Sequence, residues 1–402
     1  MSNKDRRAFL KQGASALAGA ALLPGLLKGK TLGTKEEKKG KMIYRILGKT
    51  GLKLPIVSMG VMNADNPNLV KSALERGILH LDTAHGYQRG RNEEMIGKVV
   101  KDIPRESFTL ATKIYESQDR ETGLFLKEAT PQTFMEKFEI SLKRLQMDYV
   151  DILYIHSIKN KEAANYEPFL NLMQKLKKEG KIRFIGLSTH KNEPEVLKAA
   201  ADSKIYDVVL TAYNFKQKHV SEVEKAIDYA AKAGLGIVAM KTQAGVYWDK
   251  EKQQPINMKA ALKWALKNNN IHTSIPGFTT FDQMDLDLSV MEDLTLTEEE
   301  KKDLKLNEAK TAQTGLFCQQ CDACLPQCKG NMDIPTLMRS YMYAYGYNNL
   351  EMAKITLDSL GSFKISCNSC STCEVSCAMG FELKDKIQDI VRLKDVPREF
   401  LS

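Results

Sequence analysis

The chain is told first by what it lacks. The first cysteine of its 402 residues is Cys318, so the larger part holds neither disulfides nor thiolate metal sites. Long apolar runs are missing too. The weakly apolar stretch Gly13–Leu27 has 15 residues and is broken by Pro24, short of the roughly 20 that a comfortable membrane helix requires. No G-x-G-x-x-G follows the first strand-like run, and the glycines around Gly86–Gly90 lack the third position, which disfavours a doubly wound dinucleotide fold. Net positive charge is scarce outside the N-terminus. Residues 1–42 hold ten Lys and Arg against Asp5, Glu36 and Glu37, which leaves the rest of a +9 chain almost neutral. That distribution argues against nucleic-acid binding. The remaining composition, 43% hydrophobic and 27% charged, is that of a globular protein long enough to bury at least one large core.

The basic N-terminus has a specific reading. Asp5-Arg6-Arg7-Ala8-Phe9-Leu10-Lys11 matches a twin-arginine export motif except for Asp at the usual Ser/Thr position. We therefore expect a leader over 1–30, recognised by the Tat export machinery. It would give a periplasmic protein, or a membrane-associated one if the leader stays uncleaved; a cytoplasmic protein with a misleading leader is the alternative. The leader has no cysteine for lipid attachment. Residues 31–42 read as a solvated linker.

From 43 to 296, short Ile/Val/Leu-rich runs alternate with helix-period segments. The runs are 56–61, 78–84, 108–113, 150–156, 183–189, 208–213, 236–241 and 273–277. Runs of that length and composition suit parallel strands buried on both faces. Between them, Pro131–Leu145 places Phe134, Phe138, Leu142 and Leu145 on one helical stripe behind Thr130, a good helix start. Segments 168–178, 219–233 and 258–267 behave likewise. Eight such units in about 250 residues have the rhythm of a (β/α)8 TIM barrel. The preceding segment 43–55 reads as a hairpin turning at Gly48–Gly51, placed to close the barrel's bottom.

Beyond an acidic helix start at Thr297–Glu300 the pattern changes, and 297–402 reads as a second, smaller, mainly helical domain. Cys318, Cys321, Cys324 and Cys328 form C-x2-C-x2-C-x3-C, and Cys367, Cys370, Cys373 and Cys377 repeat it with none left over. Three thiolates at i, i+3 and i+6 with a fourth close behind can wrap one face of a cubane cluster. Zinc would favour two C-x2-C pairs split by a long loop, and a disulfide framework would not reuse one spacing. The pattern resembles the dicluster ferredoxin domains of bacterial redox proteins, which implies two 4Fe-4S clusters. Lys329 and Ala378 stand where proline usually follows the fourth cysteine. Exchange of the fourth ligand between the motifs stays open. The intervening Tyr341, Tyr343, Tyr345 and Tyr347 read as helix packing, with electron relay as the alternative.

In a barrel of this kind, chemistry gathers at the C-terminal strand ends. Asp82 ends the second run, Tyr87 follows it, Lys113 ends the third and His156 ends the fourth. A lysine ammonium about 4 Å from a phenol favours its ionised form by about 4 kcal/mol at an effective dielectric near 20, less whatever desolvation restores. The four residue types make an acid–base site for carbonyl/alcohol interconversion. The motifs LDTAHGY (81–87) with Asn92-Glu93, ATK (111–113), DYVDILYIH (148–156) and IGLS (185–188) occur in order, and over roughly 43–295 the chain resembles an aldo-keto reductase. The resemblance implies hydride transfer with NAD or NADP on a small carbonyl or alcohol substrate, such as a sugar or aldehyde. It also implies Asp82, Tyr87, Lys113 and His156 as the catalytic tetrad, with Tyr87 as proton donor or acceptor.

Cofactor contacts are expected from Ser188, Lys241, Gly277 and Thr279. The stretch after the eighth strand reaches Gln283 without a positive charge for an adenosine 2′-phosphate. Tyr247 and Trp248 are placed to cap the pocket. A bridging flavin or a redox protein partner would reconcile two-electron hydride chemistry with one-electron clusters. The alternative is an electron-transfer protein whose barrel is only a scaffold, although a scaffold has no need of the tetrad.

Overall fold

A computed structural model describes residues 36–244, 257–311, 318, 320–347, 349–361, 373–378, 380–397 and 400–401. The leader, the start of the linker, Tyr247, Trp248, Cys367 and Cys370 lie outside the described residues. Among these, eight parallel strands form one sheet: β4 (Met59–Gly60), β5 (His80–Asp82), β6 (Thr109–Ile114), β7 (Val150–Ile155), β8 (Ile182–Thr189), β9 (Val208–Ala212), β10 (Gly236–Met240) and β11 (Thr273–Ser274). They follow the eight expected runs. Every residue of β6, β7 and β9 is buried, because helices cover the outside while side chains fill the inside. The sheet closes on itself where Val57 bridges Ser274, with Ser58 N donating to Ser274 O at 2.8 Å and Gly60 N to Pro276 O at 3.0 Å. A Cβ on Gly60 would lie 2.7 Å from Ile275 O, so only glycine fits this seam.

Three antiparallel strands precede the barrel: β1 (Glu36–Lys39), β2 (Met42–Ile46) and β3 (Lys53–Pro55). The 36–39 stretch, expected as part of a tether, is instead an exposed edge strand paired with β2. Its Glu36 accepts from buried Arg45, whose guanidinium also donates to Ile271 O at 2.6 Å and Leu266 O at 2.9 Å. The β2–β3 turn carries Leu47 and Leu54 into the barrel interior against Val208, Leu210 and Val238. The hairpin therefore plugs the bottom of the barrel, as the sequence suggested.

The Pro131–Leu145 helix shows why the local pattern suffices. Thr130 caps it, with its hydroxyl accepting from Thr133 N at 3.1 Å, and the αL residue Gln146 ends it. Its Phe134, Phe138 and Leu145 are fully buried, each worth about 1.5–3 kcal/mol. Beyond the barrel, helices Ile334–Tyr341, Leu350–Asp358 and Leu383–Ile390 pack around Leu337, Met338, Leu357 and Ile387. The first runs into a π turn over Met342–Gly346, which sets the spacing of the tyrosines. No helix among the described residues is long and apolar enough to cross a membrane.

Candidate active site and thiol cage

The C-terminal ends of β5, β6 and β7 bring the four expected catalytic side chains together. Lys113 is the hub. Its ammonium, almost wholly buried, pairs with Asp82, donates to Thr83 O at 2.8 Å and to the Tyr87 hydroxyl at 3.2 Å, and so uses all three of its donors. The Tyr87 ring stands edge-on to His156, centroids 6.1 Å apart. Tyr115 approaches the other side of that imidazole at 6.3 Å. Tyr87 sits in a tight turn that Gln88 and Arg89 complete with left-handed backbone. Asn92 and Glu93 brace it from below. Asn92 accepts from the Thr83 hydroxyl at 2.6 Å and donates to Val61 O at 2.7 Å, while Glu93 accepts from the Thr112 hydroxyl at 2.7 Å.

Burial alters the expected acid–base balance. It pushes the Tyr87 phenol above its ordinary value, and the opposing pull of Lys113 offsets this only in part. The net lowering expected from the lysine alone is therefore reversed by desolvation. Burial also lowers Lys113, but Asp82 and Tyr87 together outweigh it and hold the ammonium charged. His156 is pushed down to about 3 by burial and then by Lys113, so its imidazole is neutral near neutral pH.

The expected cofactor residues lie at or just beyond the ends of β8, β10 and β11. The buried Ser188 hydroxyl accepts from Ser157 N at 2.9 Å and so fixes the loop after His156, where Ser157 has φ 64°. Lys241 follows β10 with φ 57°, and burial and then Arg339 push its ammonium down to about 8. Gly277 lies beside the seam, with Gly60 O 3.7 Å from where its Cβ would be. The Thr279 amide and hydroxyl both bond Gln283 Oε1, at 2.7 and 3.2 Å.

The C-terminal helices cap this end of the barrel. Arg91 pairs with Glu351, Arg120 with Asp333, and Lys191 with Asp322 at 2.8 Å. These barrel residues lie in or near the loops that follow β5, β6 and β8. Under the cap, Tyr87, His156, His190, Tyr343 and Tyr347 are only partly shielded from water yet crowded by protein. Tyr87, His156 and His190 belong to the barrel mouth, and Tyr343 and Tyr347 to the cap. The Tyr343 and Tyr347 rings are tilted with centroids 6.0 Å apart, and burial pushes both phenols above their ordinary value. His190 bonds the Ser157 hydroxyl through Nε2 at 3.2 Å. Sequence reading singled out neither His190 nor Arg339. Residue spacing alone carries no sign that a distant helix folds over the mouth.

Four of the six described cysteines share one place. Cys318, Cys321 and Cys324 line one cavity with Cys377 from the second motif, walled by Ile334, Pro335, Met338 and Phe381. Cys328 is not among the cavity's lining residues. Burial pushes the Cys318 and Cys324 thiols up to about 11, and neighbouring cysteines add to this. Such thiols ionise only when a metal takes the charge. Among the described residues, no group of three or more His, Cys, Asp or Glu could hold a single metal ion. Four sulfurs around a shared apolar cavity instead fit a cubane, whose thiolates bind different irons. Three of these four thiols come from the first motif and one from the second. Cys373 is exposed, and its partners Cys367 and Cys370 lie outside the described residues.

Comparison with known proteins agrees with both halves. The chain is 28% identical over 207 residues to a probable aldo-keto reductase 1 of Glycine max, a match spanning 52% of this chain and 57% of that protein. It is 27% identical over 297 residues to the L-galactose dehydrogenase of Arabidopsis thaliana, spanning 63% and 89%. Among solved structures, the holo form of aldo-keto reductase AKR11C1 from Bacillus halodurans superposes with a TM-score of 0.53 at 23% identity, covering 65% of this chain and 95% of that one. An aldo-keto reductase from Klebsiella pneumoniae in complex with NADPH gives 0.51 at 21%, covering 65% and 94%. The 4Fe-4S dicluster domain matches residues 317–382. With the aldo/keto reductase family matching residues 58–260, half of its length, the chain belongs to that family.

Proposed function

We propose that this oxidoreductase interconverts a small carbonyl compound and its alcohol with NAD(P), and that its two 4Fe-4S clusters pass electrons to or from the same site. The observation that carries the reading is Lys113 held between Asp82 and the Tyr87 hydroxyl. With its pKa raised, Tyr87 is protonated near neutral pH and acts as the proton donor in the direction of reduction. The ammonium 3.2 Å away stabilises the phenolate as it forms. Neutral His156, edge-on to the phenol, offers an N–H to the substrate oxygen. Ser188 and Lys241 are proposed to meet the dinucleotide. When bound, the nicotinamide supplies hydride chemistry and the clusters supply single-electron chemistry. Cys318, Cys321, Cys324 and Cys377 would hold one cluster; Cys328, Cys367, Cys370 and Cys373 would hold the other.

A redox protein partner would exchange electrons at the surface near Cys373, which is exposed. The Arg6-Arg7 motif supports export through the twin-arginine route, which carries folded proteins with cofactors already in place. Cell fractionation of the wild type against Arg6→Lys/Arg7→Lys tests this, and an unchanged distribution refutes it.

The main test is turnover of anaerobically purified protein on a panel of sugars and aldehydes, followed by nicotinamide fluorescence and cluster bleaching together. Tyr87→Phe should lower turnover by roughly 10²–10⁴ with cluster absorbance unchanged. Wild-type turnover in that variant would exclude Tyr87 as the proton donor.

A further inference from the structure

Tyr87 sits on a short turn between β5 and the helix Arg91–Val100, and that turn is strained. Gln88 and Arg89 both take left-handed backbone, with φ 49° and 55°, a conformation that a non-glycine residue keeps only where its surroundings hold it. The side chain that holds it comes from the helix Pro131–Leu145. Arg144, in the last turn of that helix, donates through Nη1 to His85 O at 3.0 Å, and the same nitrogen lies 3.4 Å from Glu93 Oε2. Its guanidinium also lies against Gly90, where a Cβ would run into Arg144 Cζ. His85 and Gly90 flank Tyr87 on either side, so one guanidinium grips the turn at both ends.

The grip is anchored to the strand that carries Lys113. Glu93 is fully buried, and its other oxygen accepts from the Thr112 hydroxyl at 2.7 Å. Thr112 immediately precedes Lys113, whose carbonyl accepts from His85 N at 3.0 Å. Ser141, three residues before Arg144 on the same helix face, meets His85 Nδ1 at 3.1 Å. The helix itself is in close backbone contact with Arg91–Val100, since a Cβ on Gly97 would fall 2.5 Å from Arg144 O. The guanidinium therefore reaches the turn from a fixed point.

We propose that Arg144 is a positioning residue of the proton-transfer site: it holds the turn so that the Tyr87 hydroxyl stays 3.2 Å from the Lys113 ammonium. Arg144 acts on the reaction through that distance and is not itself a catalytic residue. A lost grip lengthens the contact, and the ammonium then stabilises the developing phenolate less, because their attraction falls with separation. This deepens the proposed function and rests on its reading of Tyr87 as the proton donor.

The test is steady-state kinetics of anaerobically purified full-length protein, with glyceraldehyde, at once a sugar and an aldehyde, as the probe and NADH and NADPH in turn. Arg144→Met alone would strand the buried Glu93 carboxylate. The variant used is therefore Arg144→Met/Glu93→Gln, which leaves no buried charge there and should keep its urea midpoint near that of the wild type. Its kcat should fall about 10²-fold, the scale of a reacting group displaced by about 1 Å, with KM unchanged. Arg144→Lys, still a cation and a donor, should keep most of the rate. In a Tyr87→Phe background the double substitution should cost nothing further, because the group it positions is gone. Equal losses with and without Tyr87, or a raised KM with kcat intact, would overturn the role of Arg144 and leave the proposed function standing. Hydrogen exchange of the peptide spanning 83–90 needs no substrate. In the double variant this turn should exchange faster while β7 stays protected. An unchanged turn overturns the inference even where glyceraldehyde is not reduced, whereas wild-type turnover by Tyr87→Phe overturns the reading beneath it.

Discussion

Replacing Lys113 with methionine removes the charge at the hub of the site while keeping most of the volume of an unbranched side chain. Its ammonium pairs with Asp82, and Asp82 Oδ2 already has no hydrogen-bond partner in its buried position. The variant leaves both carboxylate oxygens without that cation, and the Thr83 carbonyl loses a donor at 2.8 Å. Stranding one member of a buried pair costs about 3–5 kcal/mol. A domain's whole stability is about 5–15 kcal/mol, so the barrel of Lys113→Met should unfold at a much lower urea concentration. The pairing itself is worth far less than this penalty, because both charges were desolvated to form it. The double variant Asp82→Asn/Lys113→Met, which leaves no buried charge, should therefore recover most of the loss. Tryptophan fluorescence follows the barrel selectively, since both tryptophans, Trp248 and Trp264, fall within residues 43–296 of the sequence. A single variant within 1 kcal/mol of wild type, or a double variant no better than the single, would refute the reasoning. Neither variant should turn over substrate at the wild-type rate, so stability and activity separate.

Three further outcomes follow from the same structure. Cys377→Ala should abolish the cluster built on Cys318, Cys321 and Cys324 and spare the other, whereas Cys328→Ala should do the reverse; EPR of the two variants would sink the exchange if each instead lost the cluster of its own motif. Gly60→Ala should destabilise the barrel by about 1–3 kcal/mol, because its Cβ would meet Ile275 O at the seam, and a wild-type melting curve would count against a closed barrel. Burial depresses His156 to about 3 and His85 and His272 each to about 4, below the ordinary 6.5. Their folded values lie below their unfolded ones, so the stability they contribute is complete above about pH 6.5 and is lost as pH falls toward those values. His272→Gln should flatten the acid limb of stability in that window, as read by urea midpoints at stepped pH.

The barrel was legible because each strand–helix unit announces itself locally. β7 is a fully buried apolar run, and the helix after β6 carries its own cap and stripe. The tetrad was legible for a related reason: in a parallel barrel the last residue of each strand faces the same end, so order along the chain becomes proximity in space. What escaped was long-range. Spacing left the side on which Cys377 falls open, and in space it lines one cavity with Cys318, Cys321 and Cys324. The sign of the Tyr87 shift escaped too. A pairwise estimate counts the lysine but not the protein that replaces water around the phenol. Arg339 and His190 belong to no motif and acquire meaning only once the cap sits over the mouth.

The cross-domain ion pairs among the described residues share one polarity. Arg91, Arg120 and Lys191 come from the barrel, and Glu351, Asp333 and Asp322 from the cap. The iron–sulfur unit is in this sense seated through its own carboxylates on a cationic rim. Cutting it away would not simply leave a plain reductase. It would bare those cations around the entrance, so a truncated barrel should draw negatively charged compounds that the intact protein ignores.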